Sequence, residues 1–402
     1  MESKLPAYYG LPSEVRFCKR CVLSNQRPSS YPEFRHTKDR ICPTLHIDEE
    51  GVCDACRFAD QKKNIDWTAR ELQLRELLDR YRRDDGRYDC LVPGSGGKDS
   101  AYAAHVLKYK YGMHPLTVTW PPIMYTDYGY ENFRNWIEVG GFDNISFKPN
   151  GRVHKLLTKL SIENILHPFQ TFILGQKNLP TKVALRYEIP LVFYGESEAE
   201  YGNPIAETKT ALRDKSYFVS TNMDDLYLAG VPLRELREKY QLTQADLSPY
   251  FPVEAEALEK GQLEVHYLGY YLPWTPQESF YYAAEHTGFK PRPFRTEGTY
   301  SKYNSIDDKI DDLHYYTTFV KFGLGRASYD ASQEIRNGHI TREEGVALVH
   351  KFDGEMPQRY FQEVMDYLEI APAKFIELCD AARSPHLWKK EQDKWVLRHQ
   401  VA

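Results

Sequence analysis

Long apolar runs are missing from this chain. No stretch approaches the about eighteen apolar residues that a membrane-spanning helix needs, so none is expected. The opening segment Met1–Gly10 also lacks the apolar core of a secretory leader, which predicts a cytoplasmic protein with no membrane partner. A basic excess is missing too: 52 Lys and Arg stand against 57 Asp and Glu, a formal net charge of -5. That balance argues against an obligate nucleic-acid partner, although a local basic patch is compatible with it. Cysteine is sparse, with seven in 402 residues, and none stands in a nucleophile-elbow context. The usual G-x-x-x-x-G-K-[ST] phosphate loop is absent as well.

What is present begins with Pro93-Gly94-Ser95-Gly96-Gly97-Lys98-Asp99-Ser100. A β-prone run, Tyr88 to Val92, leads in. A helical pattern with Ala103, Val106 and Leu107 on one face leads out, and Gly112 stops it. A glycine-rich turn between strand and helix offers backbone N–H groups and the positive end of a helix dipole. Ser95 and Ser100 add hydroxyl donors and Lys98 adds charge, so the turn suits a phosphate. The plainer reading is an ordinary glycine-rich strand-to-helix turn.

Four of the seven cysteines form two knuckles, Cys18-x-x-Cys21 and Cys53-x-x-Cys56. In a reducing compartment this spacing predicts a closed, structural four-thiolate zinc site. Redox-active or fortuitous cysteines are the alternative. Cys42 and His46, between the knuckles, are substitute ligands. The intervening sequence is polar and proline-rich, with no periodic apolar face, so a metal would supply its staple. Cys90 and Cys379 read as core residues.

At 402 residues the chain has room for two or three domains. Trp67 to Arg83 reads as an amphipathic helix. Strands are expected at 88–92, 115–119, 144–147, 190–194 and 265–271. Helices are expected at 100–111, 131–139 and 170–187. Such alternation predicts an α/β domain with a parallel, doubly wound sheet. The expected division is 1–66 as a zinc module, 67–290 as the nucleotide domain, and 291–402 as a helical C-terminal domain. Residues 203–262 interrupt the alternation and read as an insertion over the active-site face, either a lid or an inert elaboration.

Ligands of doubly wound sheets lie beyond the carboxyl ends of the strands. The residues there are Thr119-Trp120, Tyr125 to Asp127, and Gly195 to Gly202. Glu196, Glu198 and Glu200 crowd the last run. Beside a triphosphate, such acids need a cation, and Mg²⁺ prefers carboxylate and phosphate oxygens. Asp99 and Glu196 are the candidate Mg²⁺ ligands, with Glu198 a lesser one; a solvated capping loop is the alternative. Lys177 is a weak phosphate candidate. Lys302, Lys321 and Arg326 are candidates to neutralise charge at phosphate, against a reading of this region as surface ion pairs such as Asp308 with Lys309. Tyrosine is abundant, with 30 residues, and its flat face and hydroxyl suit a sugar or base. Tyr125, Asp127, Glu198, Tyr201 and Tyr300 are the substrate candidates.

Ser95-Gly96-Gly97-Lys98-Asp99-Ser100 resembles the S-G-G-x-D-S signature of the PP-loop ATP pyrophosphatases, whose fold is adenine nucleotide alpha hydrolase-like. Five further stretches, with the two cysteine knuckles, are similar to the N-acetyl sugar amidotransferases of the WbpG/PseA type. These are Leu116 to Trp120, Tyr194 to Glu196, Leu268 to Tyr271, Gly298 to Lys302, and Asp307 through Arg326. Trp274-Thr275-Pro276 departs where an aspartate is expected, and so does Ser197 where an asparagine is usual. The resemblance implies ATP binding by Ser95, Gly96, Gly97, Lys98, Asp99, Ser100, Thr119, Trp120, Gly195 and Glu196. It implies catalysis by Lys98, Asp99, Lys302, Lys321 and Arg326, with ATP, Mg²⁺ and Zn²⁺ as cofactors. The implied reaction adenylates the acetamido oxygen of an N-acetyl sugar, nucleotide-linked or free, and ammonia then displaces AMP. The acetamidino sugar would enter O-antigen, lipopolysaccharide or flagellin glycans.

A built-in glutaminase needs a cysteine nucleophile, or one at the N-terminus, where this chain has Glu2. Ammonia is therefore expected from a separate glutaminase with a cyclase-like channel subunit of the HisH/HisF type. The competing readings are a tRNA thiolase, which would need further cysteines near the loop, and a non-catalytic nucleotide-binding subunit.

Overall fold

The computed structural model describes residues 5–30, 33–37, 41, 43–203, 210–219 and 226–402, with backbone alone for Phe34 and Glu198. Two helices open the chain, α1 (Asp54–Lys62) and α2 (Trp67–Tyr81). Asp66 caps α2 by accepting from the Ala69 N–H, and Leu74, Leu77 and Leu78 are its buried stripe. Strand and helix then alternate: β1 (Cys90–Pro93), α3 (Lys98–His105), β2 (Pro115–Thr119), α4 (Asp127–Glu138), β3 (Asp143–Ser146), α5 (Gly151–Ile165), α6 (Gln170–Arg186) and β4 (Leu191–Tyr194). Beyond them lie a small hairpin, β5 (Tyr227–Leu228) and β6 (Val231–Pro232), and short helices α7 (Leu233–Tyr240), α8 (Gln244–Leu247) and α9 (Ala255–Lys260). The last sheet strand is β7 (Glu264–Tyr267), followed by the turn α10 (Leu268–Tyr271) and α11 (Pro276–His286).

The sheet has five strands in the order β3-β2-β1-β4-β7. Every pairing is parallel. β1, β2 and most of β4 are buried along their length, as strands covered on both faces must be, while β3 at the edge is partly exposed. The predicted doubly wound sheet is thus the observed one. Strand order reverses between β1 and β4, and the crevice there is where such folds bind ligands.

Several local expectations change. The helix after the phosphate loop is not uniform: past His105 it widens, and the Tyr111 N–H reaches the Val106 carbonyl at 3.2 Å. α5 was not foreseen, although Asn150 caps it and Val153, Leu157, Leu160 and Ile165 supply the apolar period. The run 265–271 is only half strand, since it turns into α10.

The described parts of the insertion pack into the core of the sheet. Phe218, Leu228, Leu236, Leu247, Tyr250 and Leu258 join Leu157, Leu174 and Val192 in one core, so its described parts build one layer of the sheet's packing. His154 from α5 meets the Tyr250 hydroxyl at 2.9 Å inside that core.

The C-terminal region carries α12 (Asp311–Phe322), α13 (Arg326–Asn337), α14 (Arg342–Phe352), α15 (Phe361–Leu368) and α16 (Pro372–Ala382). Thr341 and Glu344 form a capping box. Pro372 opens α16, whereas Pro357 lies a turn ahead of α15. A hairpin of β8 (Trp388–Glu391) and β9 (Lys394–Leu397) follows, so the region is not wholly helical. Leu313, Val320, Val364, Leu368 and Phe375 share a core with Ile162, Leu166 and Phe169, which fastens these helices to the nucleotide sheet through α5. No helix among the described residues is long and apolar enough to cross a membrane.

Candidate active site

The phosphate loop is held by close contacts that only glycine allows. A Cβ on Gly94 would lie 2.2 Å from the Ser100 Cβ. Gly96 has φ +87° and a Cβ there would lie 2.7 Å from the Asn132 carbonyl of α4. Gly97 then caps α3, whose first turn carries Lys98, Asp99 and Ser100. On the other side of the crevice, a Cβ on Gly195 would lie 2.2 Å from the Asp99 carbonyl oxygen. The end of β4 therefore presses directly on the loop, and Glu196 follows at that point.

Asp99 is held from two sides. Its Oδ1 accepts from the Trp274 indole at 3.0 Å, and its Oδ2 meets Lys98 Nζ at 2.5 Å. Trp274 is buried just ahead of α11, which Thr275 caps. The tryptophan of the departing Trp-Thr-Pro run thus positions the loop aspartate. Trp274→Phe keeps an aromatic ring, though a smaller one, and removes the side chain's only N–H, so the Asp99 carboxylate loses a buried partner worth about 1–3 kcal/mol. The expected result is about a tenfold lower rate of ATP turnover and a lower melting temperature from the lost packing, read by pyrophosphate release and thermal unfolding.

The C-terminal region reaches the loop through residues 305–312. Ser95 Oγ donates to Asp307 Oδ2 at 2.7 Å. The Thr126 N–H donates to the Asp307 carbonyl at 3.0 Å, and the Thr126 hydroxyl donates to the Ile306 carbonyl. Next to them Asp308 is buried, and it accepts from the N–H groups of Ile123 (2.5 Å), Ile310 (3.0 Å) and Met124 (3.3 Å). The Asp308–Lys309 surface pair of the alternative reading is not there, because Lys309 turns to Glu363 at 2.6 Å.

Burial pushes the Asp308 carboxyl up to about 7, against the pull of those N–H donors. A carboxyl raised in the folded state adds stability that is present at low pH and lost as pH rises through about 7. Unfolding in urea at pH 8 and pH 5 should therefore show a gain on acidification that Asp308→Asn reduces. An unchanged gain in the variant would contradict this.

A cavity of about 330 Å³ adjoins this junction, lined among others by Tyr201, His314, Tyr315, Lys321, Arg326 and Asp330. Arg326 donates to the Tyr315 hydroxyl at 3.0 Å and pairs with Asp330 at 2.9 Å. Burial works against the Arg326 charge, but Asp330 and Tyr315 outweigh it and the net shift is upward. Burial likewise raises Tyr315, to about 12, with Arg326 opposing. Lys321 lines the same cavity but commits its Nζ to the Ile165 carbonyl at 2.8 Å, so it is a packing cation more than a free one.

Other candidates fall elsewhere. Trp120 is core: it is 3% exposed, and a Cβ on Gly175 would lie 2.1 Å from its ring. Thr119 is buried and accepts from the Asn144 amide at 3.0 Å. Lys302 is exposed, and the Tyr300 hydroxyl donates to Glu334 at 3.0 Å within a C-terminal cluster. Lys177 lies over the Tyr217 ring, within the insertion. Asp127 is exposed at the start of α4. Tyr125 is half-buried, its buried hydroxyl has no partner among the described residues, and burial followed by Asp307 raises it. Tyr201 faces the Trp274 ring at 5.9 Å. The Glu198 side chain lies outside the described residues. Glu200 is not a cation ligand: it is 2% exposed and pairs with Lys62 of α1 at 2.6 Å. Sequence reasoning missed Trp274 and Lys62, whose partners Asp99 and Glu200 lie 175 and 138 positions away; it also missed Asp330, although its i,i+4 spacing from Arg326 on one helix is a local signal.

The four cysteines do converge. Cys18, Cys21, Cys53 and Cys56 are buried, with ligand atoms within 4.8 Å of one another, a set that could hold a metal ion. Sγ pairs lie at 3.8 Å (Cys18–Cys56) and 3.7 Å (Cys21–Cys53). A tetrahedron with Zn–S bonds of about 2.3 Å has edges of about 3.8 Å, so the set fits one zinc ion. His46 is exposed and engaged with Asp54 at 3.0 Å, which removes it as a substitute ligand. Cys42 lies outside the described residues. Cys90 and Cys379 are buried in cores, as expected.

Comparison with known proteins adds one decisive match. Residues 297–401 match the family described as "LPS biosynthesis protein WbpG-like, C-terminal domain". The match covers the C-terminal quarter of the chain. The match agrees with the resemblance carried by Gly298 to Lys302 and Asp307 through Arg326. An uncharacterized protein, MJ1599, of Methanocaldococcus jannaschii is 29% identical over 75 residues, 18% of this chain. The chain spans about a quarter of that relative, 26% of its length. An NH3-dependent NAD synthetase from Campylobacter jejuni is similar at TM-score 0.27 and 13% identity, covering 35% of this chain and 62% of that one. The U34-tRNA thiolase NcsA from Methanococcus maripaludis, solved with its 4Fe-4S cluster, is similar at TM-score 0.31 and 12% identity, covering 80% of this chain and 86% of that one. At such scores the fold assignment rests on the sheet, its strand order and the loop, and not on these likenesses.

Proposed function

We propose that this chain is an ATP-dependent amidotransferase that converts the acetamido group of an N-acetyl sugar into an acetamidino group. The observation that carries the reading is the junction itself. The WbpG-like domain and the segment leading into it place Asp307 against Ser95 of the phosphate loop, and Arg326 in the adjoining cavity.

In this reading the loop N–H groups of residues 95–98 and the first turn of α3 grip the β and γ phosphates. The acetamido oxygen attacks the α phosphorus; a P–O bond forms, the bond to the β phosphate oxygen breaks, and pyrophosphate leaves. Arg326 offsets charge on the departing phosphates. Ammonia then adds to the imidate carbon, AMP leaves with the C–O bonding pair, and a proton is lost. Adenylation makes sense because an amide oxygen is otherwise a poor leaving group. Tyr125, with its unpartnered buried hydroxyl, and Tyr201 face the sugar. Asp307, Glu196 and Asp99 are the carboxylates that would hold Mg²⁺, which would supply charge neutralisation at the phosphates. Both Asp99 oxygens already meet Lys98 and Trp274, so Asp307 is added to the two carboxylates that the sequence suggested. The cysteine set holds zinc in a structural role.

Ammonia comes from a separate glutaminase with a channel subunit. Incubating the purified chain with ATP, N-acetylhexosamines (free and nucleotide-linked) and free ammonium should yield AMP, pyrophosphate and an amidine. Glutamine alone should not support turnover. Amidine formation from glutamine by the chain alone would refute the separate source, and AMP formation driven by tRNA instead of sugar would favour the thiolase reading.

A further inference from the structure

A second cluster of metal-ligating side chains lines the same cavity, separate from the cysteines. Glu33 and His36 come from the N-terminal segment, and His167 comes from the turn between α5 and α6. We propose that Glu33, His36 and His167 bind a first-row divalent cation at the wall of this cavity. One ligand atom from each lies within 4.8 Å of the others. Glu33 Oε2 is 3.1 Å from His36 Nδ1 and 3.9 Å from His167 Nε2. Bonds of about 2.1 Å to nitrogen and oxygen set tetrahedral edges of about 3.4 Å, which those two spacings bracket. Two imidazoles with one carboxylate suit zinc or a neighbouring first-row ion, not the all-oxygen preference of Mg²⁺.

The three residues are fixed in place. Gln170, wholly buried on α6, donates to the Glu33 carbonyl at 2.8 Å and accepts from the Ala229 N–H at 2.8 Å. The His36 N–H returns to the Glu33 carbonyl at 3.0 Å. The His167 ring stacks on His314 at 5.1 Å. The buried His167 Nδ1 has no hydrogen-bond partner among the described residues, and Nε2, which faces Glu33, is the nitrogen the ring offers to an ion.

Three donors leave a coordination position open to the cavity that they line. Arg27, Lys321 and Arg326 share that wall and oppose a bare cation. The open position is therefore filled by an anionic oxygen, hydroxide or a substrate oxyanion. The competing arrangement is a metal-free cluster in which Glu33 simply accepts from the two rings.

Cobalt separates the two, and its count does not depend on the reaction proposed above. The full-length apo-protein titrated with Co²⁺ should take up two ions. One carries the thiolate-to-metal charge-transfer absorption of the cysteine set, and the other shows only the weaker bands of nitrogen and oxygen ligation. Glu33→Gln and His36→Ala should each lose the second ion and keep the thiolate bands; Cys56→Ser should do the reverse. A wild-type chain that takes up one ion, with thiolate bands only, overturns the proposal. So does a second ion that stays fully bound in both variants. The wild-type count stands by itself if either variant fails to fold.

Discussion

Gly195→Ala is expected to lower pyrophosphate release from ATP by about 100-fold or more, although it adds only a single methyl group. The new Cβ would fall 2.2 Å from the Asp99 carbonyl oxygen, a distance real atoms do not adopt. Neither neighbour is a flexible side chain. Gly195 directly follows β4, which is fixed by its pairing with β7, and Asp99 is in the first turn of α3. The loop must move, and a displacement near 1 Å at a positioning element is enough for a loss of that order. Gly151→Ala is the control, because a Cβ there meets nothing within 4 Å at the start of α5. Turnover and melting temperature are measured on both. A Gly195→Ala protein that folds and retains most of its activity would show that the contact between β4 and the loop does not position the phosphates.

Cys56→Ser is expected to release one metal equivalent and to unfold the N-terminal segment locally. Structural zinc in small modules supplies about 10–16 kcal/mol of apparent folding energy. The segment here has little else: its apolar cluster is small and includes the cysteines themselves. The damage should spread. Lys62 at the end of α1 pairs with Glu200, which is 2% exposed, and also donates to the Trp274 carbonyl at 2.7 Å. Without Lys62, a buried carboxylate loses its partner, at a cost of about 3–5 kcal/mol. Trp274 and the loop after β4 lose their brace together, so ATP turnover should fall with the metal. Metal analysis, limited proteolysis and pyrophosphate release read the three effects. Unchanged metal content and full turnover would contradict both the metal site and its link to the loop.

The core of this architecture was legible because its signals are local. The strands from Cys90, Pro115 and Leu191 are short, apolar and bounded by turns, and the glycine loop announces its own geometry. Paired knuckles likewise identify four cysteines that the fold brings within bonding reach of one ion. What was not legible depends on contacts across the chain. Trp120 has the aromatic face of a base-stacking residue, yet Gly175 on α6 opens a slot that draws it into the core. Glu200 looks like part of an acidic cation site, yet a lysine 138 positions earlier neutralises it. Asp308 looks like a surface charge, yet three backbone N–H groups bury it. In each case the residue type was read correctly and its partner was out of range. The insertion's place in the core was not legible for a related reason: its apolar residues are individually ordinary, and only their joint packing with Leu157 and Leu174 shows that they complete the sheet's core.

The account stands on an amide oxygen attacking the phosphorus nearest the ribose, and isotope transfer tests that step directly. An N-acetyl sugar labelled with ¹⁸O in its acetamido group is turned over with ATP and ammonium, and the products are weighed by mass spectrometry. The account predicts one ¹⁸O in the phosphate of AMP, none in pyrophosphate, and an amidine free of label. Label retained in the sugar while ATP is cleaved to ADP and orthophosphate would contradict it.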